Sequence, residues 1–290
     1  MNIIEAIILG LVQGLAEFLP ISSSGHLAIA KELFGLDDVG LAFDLLLHLG
    51  TLVAVFVAFY KDIWELIVEG CGIIKDACIN IVYWFKKKAG NNEIEYVKVV
   101  STPYRRFVML VIISTIPTGV MGLLFKEIFN LDNPILLIPA ISLLLTGCLL
   151  LLADSMPSGK TTEKNATYLQ GAIIGISQGF ATLPGLSRSG TTITCCLACG
   201  FEKKFAVKYS FIMSIPAIIG ANILELGDLA GTGISSQELI YYIIGTVVAA
   251  ISGYICIKTM LVVVRKNKFK YFAYYCFAIG LLSGIVYFVK

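Results

Sequence analysis

The amino-acid sequence predicts an all-α polytopic membrane protein built from two inverted repeats, each a re-entrant helical hairpin plus three transmembrane helices. Three observations carry this prediction. The first is composition: 57% of the 290 residues are hydrophobic and 14% charged, with a mean hydropathy of +0.85, whereas a soluble domain carries about 25% charged residues. The second is a series of apolar runs of roughly 20 residues, the length a helix needs to cross a bilayer. They show no period-2 alternation, so a membrane β-barrel is not expected. The third is an internal repeat. QGLAEFLPISSSGH from Gln13 and QGFATLPGLSRSGT from Gln178 coincide at Gln13/Gln178, Gly14/Gly179, Ala16/Ala181, Ser22/Ser187, Ser24/Ser189 and Gly25/Gly190, always 165 residues apart. Only Pro20 and Pro184 slip, by one position. A fixed offset of this kind marks a duplicated unit.

Each element follows in chain order. Residues 3–35 are apolar but interrupted by a Gly/Pro/Ser-rich break, which predicts a chain that enters the membrane and returns. The opening MNIIEAIILG has no basic n-region and holds Glu5, so no cleavable signal peptide is expected. A first crossing spans 41–60. The segment 62–85 carries Asp62, Glu65, Glu69, Lys75 and Asp76 among apolar residues, which predicts an amphipathic helix lying at the interface. Crossings at 107–125 and 134–153 complete a first repeat of about 1–153, with the interfacial or cytoplasmic segment at about 61–106. A second interrupted region, 168–200, and crossings at 205–224, 238–264 and 271–289 make a second repeat of about 168–290. Together they form a single integral membrane domain, 1–290.

Loop charge predicts orientation. Lys86, Lys87, Lys88, Lys98, Arg105 and Arg106 cluster within 86–106, and RKNKFK occupies 265–270, so both segments are expected in the cytoplasm. ELGDLAGTG, near 225–233, has no basic residue and is expected outside. One hairpin plus three crossings is an odd number of passages, so the second repeat starts on the opposite face. The duplicate is therefore inverted, and the two breaks meet near the midplane, where such proteins place their sites. A net charge of +2 gives no reason to expect a nucleic-acid partner. The eight cysteines read as small buried hydrophobes; Cys196 and Cys199 form a CxxC without a second pair or a nearby histidine to complete a metal set.

The breaks carry the chemistry. Glu17 and His26 lie in the first and Arg188 in the second. An ionised group at membrane depth costs on the order of 2.5–3.5 kcal/mol, so three uncompensated ones would oppose insertion by roughly 8–10 kcal/mol. They must face each other, water, a metal or a ligand. A purely structural Glu17–Arg188 bridge would not need SSSGH or SRSGTT. Gly/Ser-rich turns that open helices present N–H groups to an anion, and Arg188 adds a planar fork matched to phosphate oxygens. Ser22, Ser24, Ser187, Ser189, Thr191 and Thr192 are candidate phosphate donors. The second break is not a P-loop, since no GKS or GKT follows its glycines.

In the first break, Ser23 and His26 lie three apart and would share a helical face, as a nucleophile and its acid–base partner do. Gln13 and Glu17 lie four apart; they could orient the histidine or, with substrate oxygens, hold Mg²⁺ or Ca²⁺. Asp44 and His48, also four apart, are either a satisfied pair in a crossing or a supporting layer behind the site. Lys208 is expected to snorkel. This inventory suits phosphoryl transfer, which asks mainly for alignment and charge stabilisation. A transporter or flippase of a polyprenyl phosphate would use the same inverted repeats but needs no nucleophile.

These residues resemble a known family. Gln13-x-x-x-Glu17 fits an (E/Q)xxxE pattern and is followed by FLPISSSGH, while Pro184–Thr192 fits PGxSRSxxT. Together they resemble the undecaprenyl-diphosphate phosphatases, or bacitracin-resistance proteins, over the whole chain. The resemblance implies hydrolysis of the C55 isoprenoid diphosphate to its monophosphate and inorganic phosphate, which recycles the carrier lipid for cell-wall synthesis and confers bacitracin resistance. It also implies Mg²⁺ or Ca²⁺, a location in the bacterial cytoplasmic membrane, and a site open to the extracytoplasmic side. By motif position the central set would be Glu17, Ser23, His26 and Arg188, supported by Gln13, Ser22, Ser187, Ser189 and Thr192. Ser23 and His26 both stand as the group that takes the phosphoryl. The expected partners are the polyprenyl diphosphate and membrane lipid; the oligomeric state, a homodimer included, is open at this point.

Overall fold

The computed structural model describes residues 1–36, 41–89, 93–129, 137–226 and 235–289. Those residues form eleven α-helices and no strands beyond an isolated bridge between Thr161 and Phe201. In order they are α1 (Ile3–Phe18), α2 (Ser23–Phe34), α3 (Leu41–Ala58), α4 (Tyr60–Lys88), α5 (Pro103–Phe129), α6 (Leu137–Ser155), α7 (Tyr168–Phe180), α8 (Arg188–Ala198), α9 (Lys203–Leu226), α10 (Ser236–Arg265) and α11 (Phe269–Val289). Six are long and apolar enough to cross a membrane: α3, α5, α6, α9, α10 and α11. They coincide with the six predicted crossings, apart from residues 134–136, which lie outside the described residues. The stretch 227–233, expected on the outer side, lies outside them too.

The two interrupted regions are short helix pairs, α1–α2 and α7–α8. Their starts obey local capping chemistry. Asn2 accepts from the amides of Ile4 and Glu5 while Glu5 accepts from the Asn2 amide; Thr167 and Gln170 make the same reciprocal box on α7. α1 begins at Ile3 and α7 at Tyr168, and α2 begins at Ser23 and α8 at Arg188. Each pair is separated by the 165 residues of the sequence repeat.

Small residues then seat these pairs against long helices. A Cβ on Gly10 would collide with the backbone of Gly245, so α1 lies directly on α10. A Cβ on Gly175, the counterpart of Gly10, would collide with the backbone of Ser114, so α7 lies in the same way on α5. Close backbone approach through small residues is how membrane helices associate where lipid supplies no hydrophobic drive. Phe18 closes the end of α1 by packing edge-on against Phe211 of α9, with centroids 5.3 Å apart.

α4 is the predicted amphipathic segment, and it is not among the helices apolar enough to span. Only Ile63 on it is buried. Asp62, Glu69 and Asp76 recur every seven positions and so share one face. On that face Glu69 and Asp76 hold Arg105 at 2.8 and 2.5 Å, and Asp62 accepts from Tyr104 and Lys208 at 2.8 and 2.9 Å. Lys208 therefore does not snorkel: it ion-pairs with Asp62 among the rings of Tyr104, Phe107 and Phe205. Arg106 donates to the Ala166 carbonyl, Lys203 contacts both Ser158 and Asn267, and Gly159 bonds Phe201. These contacts gather the start of α5, the 156–167 connection, the start of α9 and the α10–α11 turn at one end of the bundle, where Arg105 and Arg106 of the first predicted basic segment and the whole of the second lie.

Candidate active site

The tips of the two broken pairs meet. A Cβ on Gly190 would lie 3.3 Å from Pro20 Cβ, and one on Gly25 would lie 3.8 Å from Gly185 Cα. Gly25 and Gly190 are counterparts, as are positions 20 and 185, so the contact is reciprocal, the pattern a two-fold axis produces. Ser189 Oγ reaches across to the Leu19 carbonyl at 3.4 Å.

At this junction Glu17 is the hub. One arm of Arg188, Nη2, meets Glu17 Oε1 at 2.5 Å. Glu17 Oε2 accepts from Ser23 Oγ at 2.6 Å and from Gln13 Nε2 at 3.0 Å, and His48 Nε2 stands 3.9 Å away. Glu17 is 6% exposed. A carboxylate so deeply desolvated is held by its charge partner and by the hydrogen bonds that satisfy its remaining lone pairs. Three buried polar atoms at this place have no partner: Arg188 Nη1, Gln13 Oε1 and Thr191 Oγ1. Buried polar groups are nearly always paired, so an unpaired guanidinium nitrogen and an unpaired hydroxyl three residues on along α8, in a site that also has uncapped amides, suit an anionic ligand. The amides belong to the first turn of α2, whose N-cap, Ser22, makes no side-chain cap bond. Ser22 also has φ 72°, a left-handed conformation that costs a residue with a side chain about 1–3 kcal/mol and that gathers at functional sites.

Several sequence expectations change in detail. Ser23 and His26 share a turn, but the hydroxyl goes to Glu17, while His26 Nδ1 meets the Ser22 carbonyl at 2.8 Å and Nε2 meets Tyr275 Oη at 2.6 Å. Asp44 does not pair with the His48 side chain. Its carboxylate binds Lys31 at 2.6 Å, and only its backbone carbonyl receives His48 Nδ1, at 2.8 Å. Thr192 is fully buried and turned away from the junction, joining Arg188 O at 2.8 Å and Ser210 Oγ at 2.6 Å, so it braces α8 against α9. Ser187 caps α8 by accepting from Gly190 N at 3.1 Å, donates its own amide to Thr146, and shares a 3.3 Å hydroxyl contact with Ser189. Ser22 and Ser24 make the corresponding contact at 3.4 Å. Tyr275, Thr146 and Ser210 escaped the sequence reading, because a lone tyrosine or hydroxyl in an apolar helix carries no local signal.

Among the described residues no three His, Cys, Asp or Glu side chains converge on a metal position. Gln13 Oε1 is unpartnered, but both Glu17 oxygens are already engaged. Mg²⁺ and Ca²⁺ ask for six or more oxygens, so these side chains alone do not form a resident site for either.

Fold and site together define a multi-pass membrane protein with an arginine–carboxylate–hydroxyl cluster at the junction of two broken helix pairs. Comparison with known proteins gives the particular family. Residues 6–282 match the family described as bacitracin resistance protein BacA, and the chain belongs to that family. A protein of Methanobrevibacter smithii named undecaprenyl-diphosphatase is 43% identical over 283 residues, covering 97% of this chain and 96% of the relative. Proteins of the same name from Methanosphaera stadtmanae and Alkaliphilus metalliredigens are each 40% identical, over 99% and 97% of this chain and 98% and 97% of their own length.

Proposed function

We propose that the protein hydrolyses undecaprenyl diphosphate to undecaprenyl phosphate and inorganic phosphate, and so recycles a carrier lipid and confers bacitracin resistance. The relatives' names and the family support the substrate class. One observation in the site carries the reading: Arg188 holds Glu17 with one arm and leaves its other arm, Nη1, buried without a partner. That arm, with Thr191 Oγ1 and the open amides of α2, suits the terminal phosphoryl group of a diphosphate.

In the mechanism we favour, Ser23 Oγ attacks the terminal phosphorus while its proton passes to Glu17 Oε2, 2.6 Å away. A Ser23–phosphate bond forms, and the bond from phosphorus to the oxygen of the prenyl monophosphate breaks. Water then cleaves the phosphoserine, releasing inorganic phosphate and restoring the hydroxyl. Arg188 holds the phosphoryl oxygens throughout. A divalent cation enters this reading as a companion of the substrate's own phosphate oxygens. The apolar faces of the crossings take the prenyl tail, which is why phosphate chemistry belongs at membrane depth.

The two halves are read as inverted repeats, on the strength of the shared helix starts and the reciprocal tip contact. The end that gathers Arg106, Lys203 and Asn267 is assigned to the cytoplasm by its positive charge, with the site opening to the other side of the cytoplasmic membrane. The test is phosphate release from the C55 or a shorter prenyl diphosphate in detergent with Mg²⁺. Wild-type protein should turn over and Ser23→Ala should not. Equal rates in the two would remove Ser23 from the reaction, and no release by the wild type would remove the reaction itself.

A further inference from the structure

We infer that Tyr275 is a positioning residue for His26, holding its imidazole in one tautomer and one plane from the far end of the chain. The inference rests on the reading of the α1–α2 tip as the reactive site. A backbone carbonyl only accepts hydrogen bonds, so the 2.8 Å contact with Ser22 O puts the ring hydrogen on His26 Nδ1. In the neutral ring Nε2 then presents a lone pair, and the Tyr275 hydroxyl, 2.6 Å away, donates to it. The two ring planes lie 18° from parallel, with centroids 5.5 Å apart. The hydrogen bond fixes the tautomer and, with the neighbouring ring set almost parallel, the tilt of the imidazole.

A further feature ties this part of α11 to the tip. On α11 the next residue, Cys276, is fully buried and reaches the Pro20 carbonyl at 3.6 Å, which ties the same turn of α11 to the same tip. Tyr275 itself is 40% exposed, so its ring is not there to fill the core. It lies 249 residues from His26.

This geometry separates the duties of the tip. Ser23 has its proton acceptor in Glu17, and His26 is not bonded to Ser23. Nε2 is instead kept as an acceptor at the α11 side of the junction, already oriented when the phenol yields its place to another O–H donor such as the water that cleaves the phosphoserine. Losing the phenol frees the ring to exchange tautomers and tilt without altering how Arg188 binds phosphate.

The test uses the whole protein in detergent, with ¹⁵N-labelled imidazoles. The chain has two histidines, so a His48→Gln sample assigns the signals. In the substrate-free protein His26 should show a protonated Nδ1 and a hydrogen-bonded Nε2. Tyr275→Phe should move the Nε2 signal toward its unbonded position and mix the tautomers, whereas Tyr274→Phe, at the exposed neighbouring residue, should leave it unchanged. Turnover should fall roughly ten-fold in kcat in Tyr275→Phe, as expected for loss of one hydrogen bond, with KM held within about two-fold. The same change added to His26→Ala should cost nothing more. Unchanged nitrogen signals in Tyr275→Phe, or an equal loss in the His26→Ala background, would overturn the inference. The nitrogen signals need no turnover, so failure of the phosphatase reading and failure of this one are seen separately.

Discussion

Replacing Glu17 by glutamine keeps the shape of the hub and removes its charge. The carboxylate now serves three donors, Arg188 at 2.5 Å, Ser23 at 2.6 Å and Gln13 at 3.0 Å, through two oxygens. A carboxamide has one oxygen and one NH₂ group. If its oxygen faces Arg188, its NH₂ points at Ser23 and Gln13 Nε2; if it is flipped, the NH₂ points at a guanidinium that has lost its counter-charge. One charge-assisted bond is lost either way, worth about 1.5–3 kcal/mol, and Ser23 loses the group that takes its proton, worth about 10²–10⁴ in rate. Turnover of the prenyl diphosphate by Glu17→Gln should therefore fall by about 10²–10⁴, or about 3–5 kcal/mol of activation free energy. The assay is phosphate release in detergent, paired with a thermal melt to show that the variant is folded. A folded Glu17→Gln protein within about two-fold of wild-type turnover would refute the assignment of Glu17 as the acceptor for Ser23. A double-mutant cycle with Arg188→Gln should show coupling above the roughly 0.5 kcal/mol seen between independent sites.

Other outcomes follow from the same geometry. Arg188→Lys keeps a charge but cannot hold Glu17 and a phosphoryl oxygen with two arms of one plane, so substrate-dependent turnover should drop at least ten-fold even if the protein melts normally. Gly175→Leu drives a side chain into the Ser114 backbone and should cost about 1–3 kcal/mol, seen as a lower melting temperature, whereas Gly119→Leu, where nothing lies within 4 Å, should not. Asp62→Asn leaves Lys208 part-buried without its carboxylate, while Lys208→Met leaves Asp62 with the Tyr104 hydroxyl and adds an apolar chain to an aromatic cluster. The asparagine variant should therefore melt lower than the methionine variant; the reverse order would mean that the ion pair does not hold α4.

The sequence disclosed the parts of this protein that depend on local pattern. Spanning length and hydropathy located all six long helices, and the charges of 62–85 separated α4 from them. The repeat offset of 165 recurs in the helix starts at Ser23 and Arg188. The cost of ions at membrane depth required Glu17, His26 and Arg188 to face each other, water, a metal or a ligand, and the structure meets it by pairing Glu17 with Arg188. What escaped was set by the direction in which a side chain leaves its helix. Whether Ser23 turns to His26 or to Glu17 depends on how the start of α2 is set against the end of α1, and the positive φ of Ser22 lies in that turn. Tyr275 and Thr146 reach the tips only through packing of α11 and α6, and Lys208 and Asp62 lie 146 positions apart.

The shared helix starts have a bearing on how such a protein could arise. Ser23 and Arg188 occupy one and the same position of the two halves, as do Glu17 and Thr182, and His26 and Thr191. In a symmetric pairing of identical half-length chains, whatever side chain stood there would confront its own copy, hydroxyl against hydroxyl or cation against cation. Joining the halves in one polypeptide removes that tie, and on the proposed reading one half supplies the donor and base and the other the anion clamp.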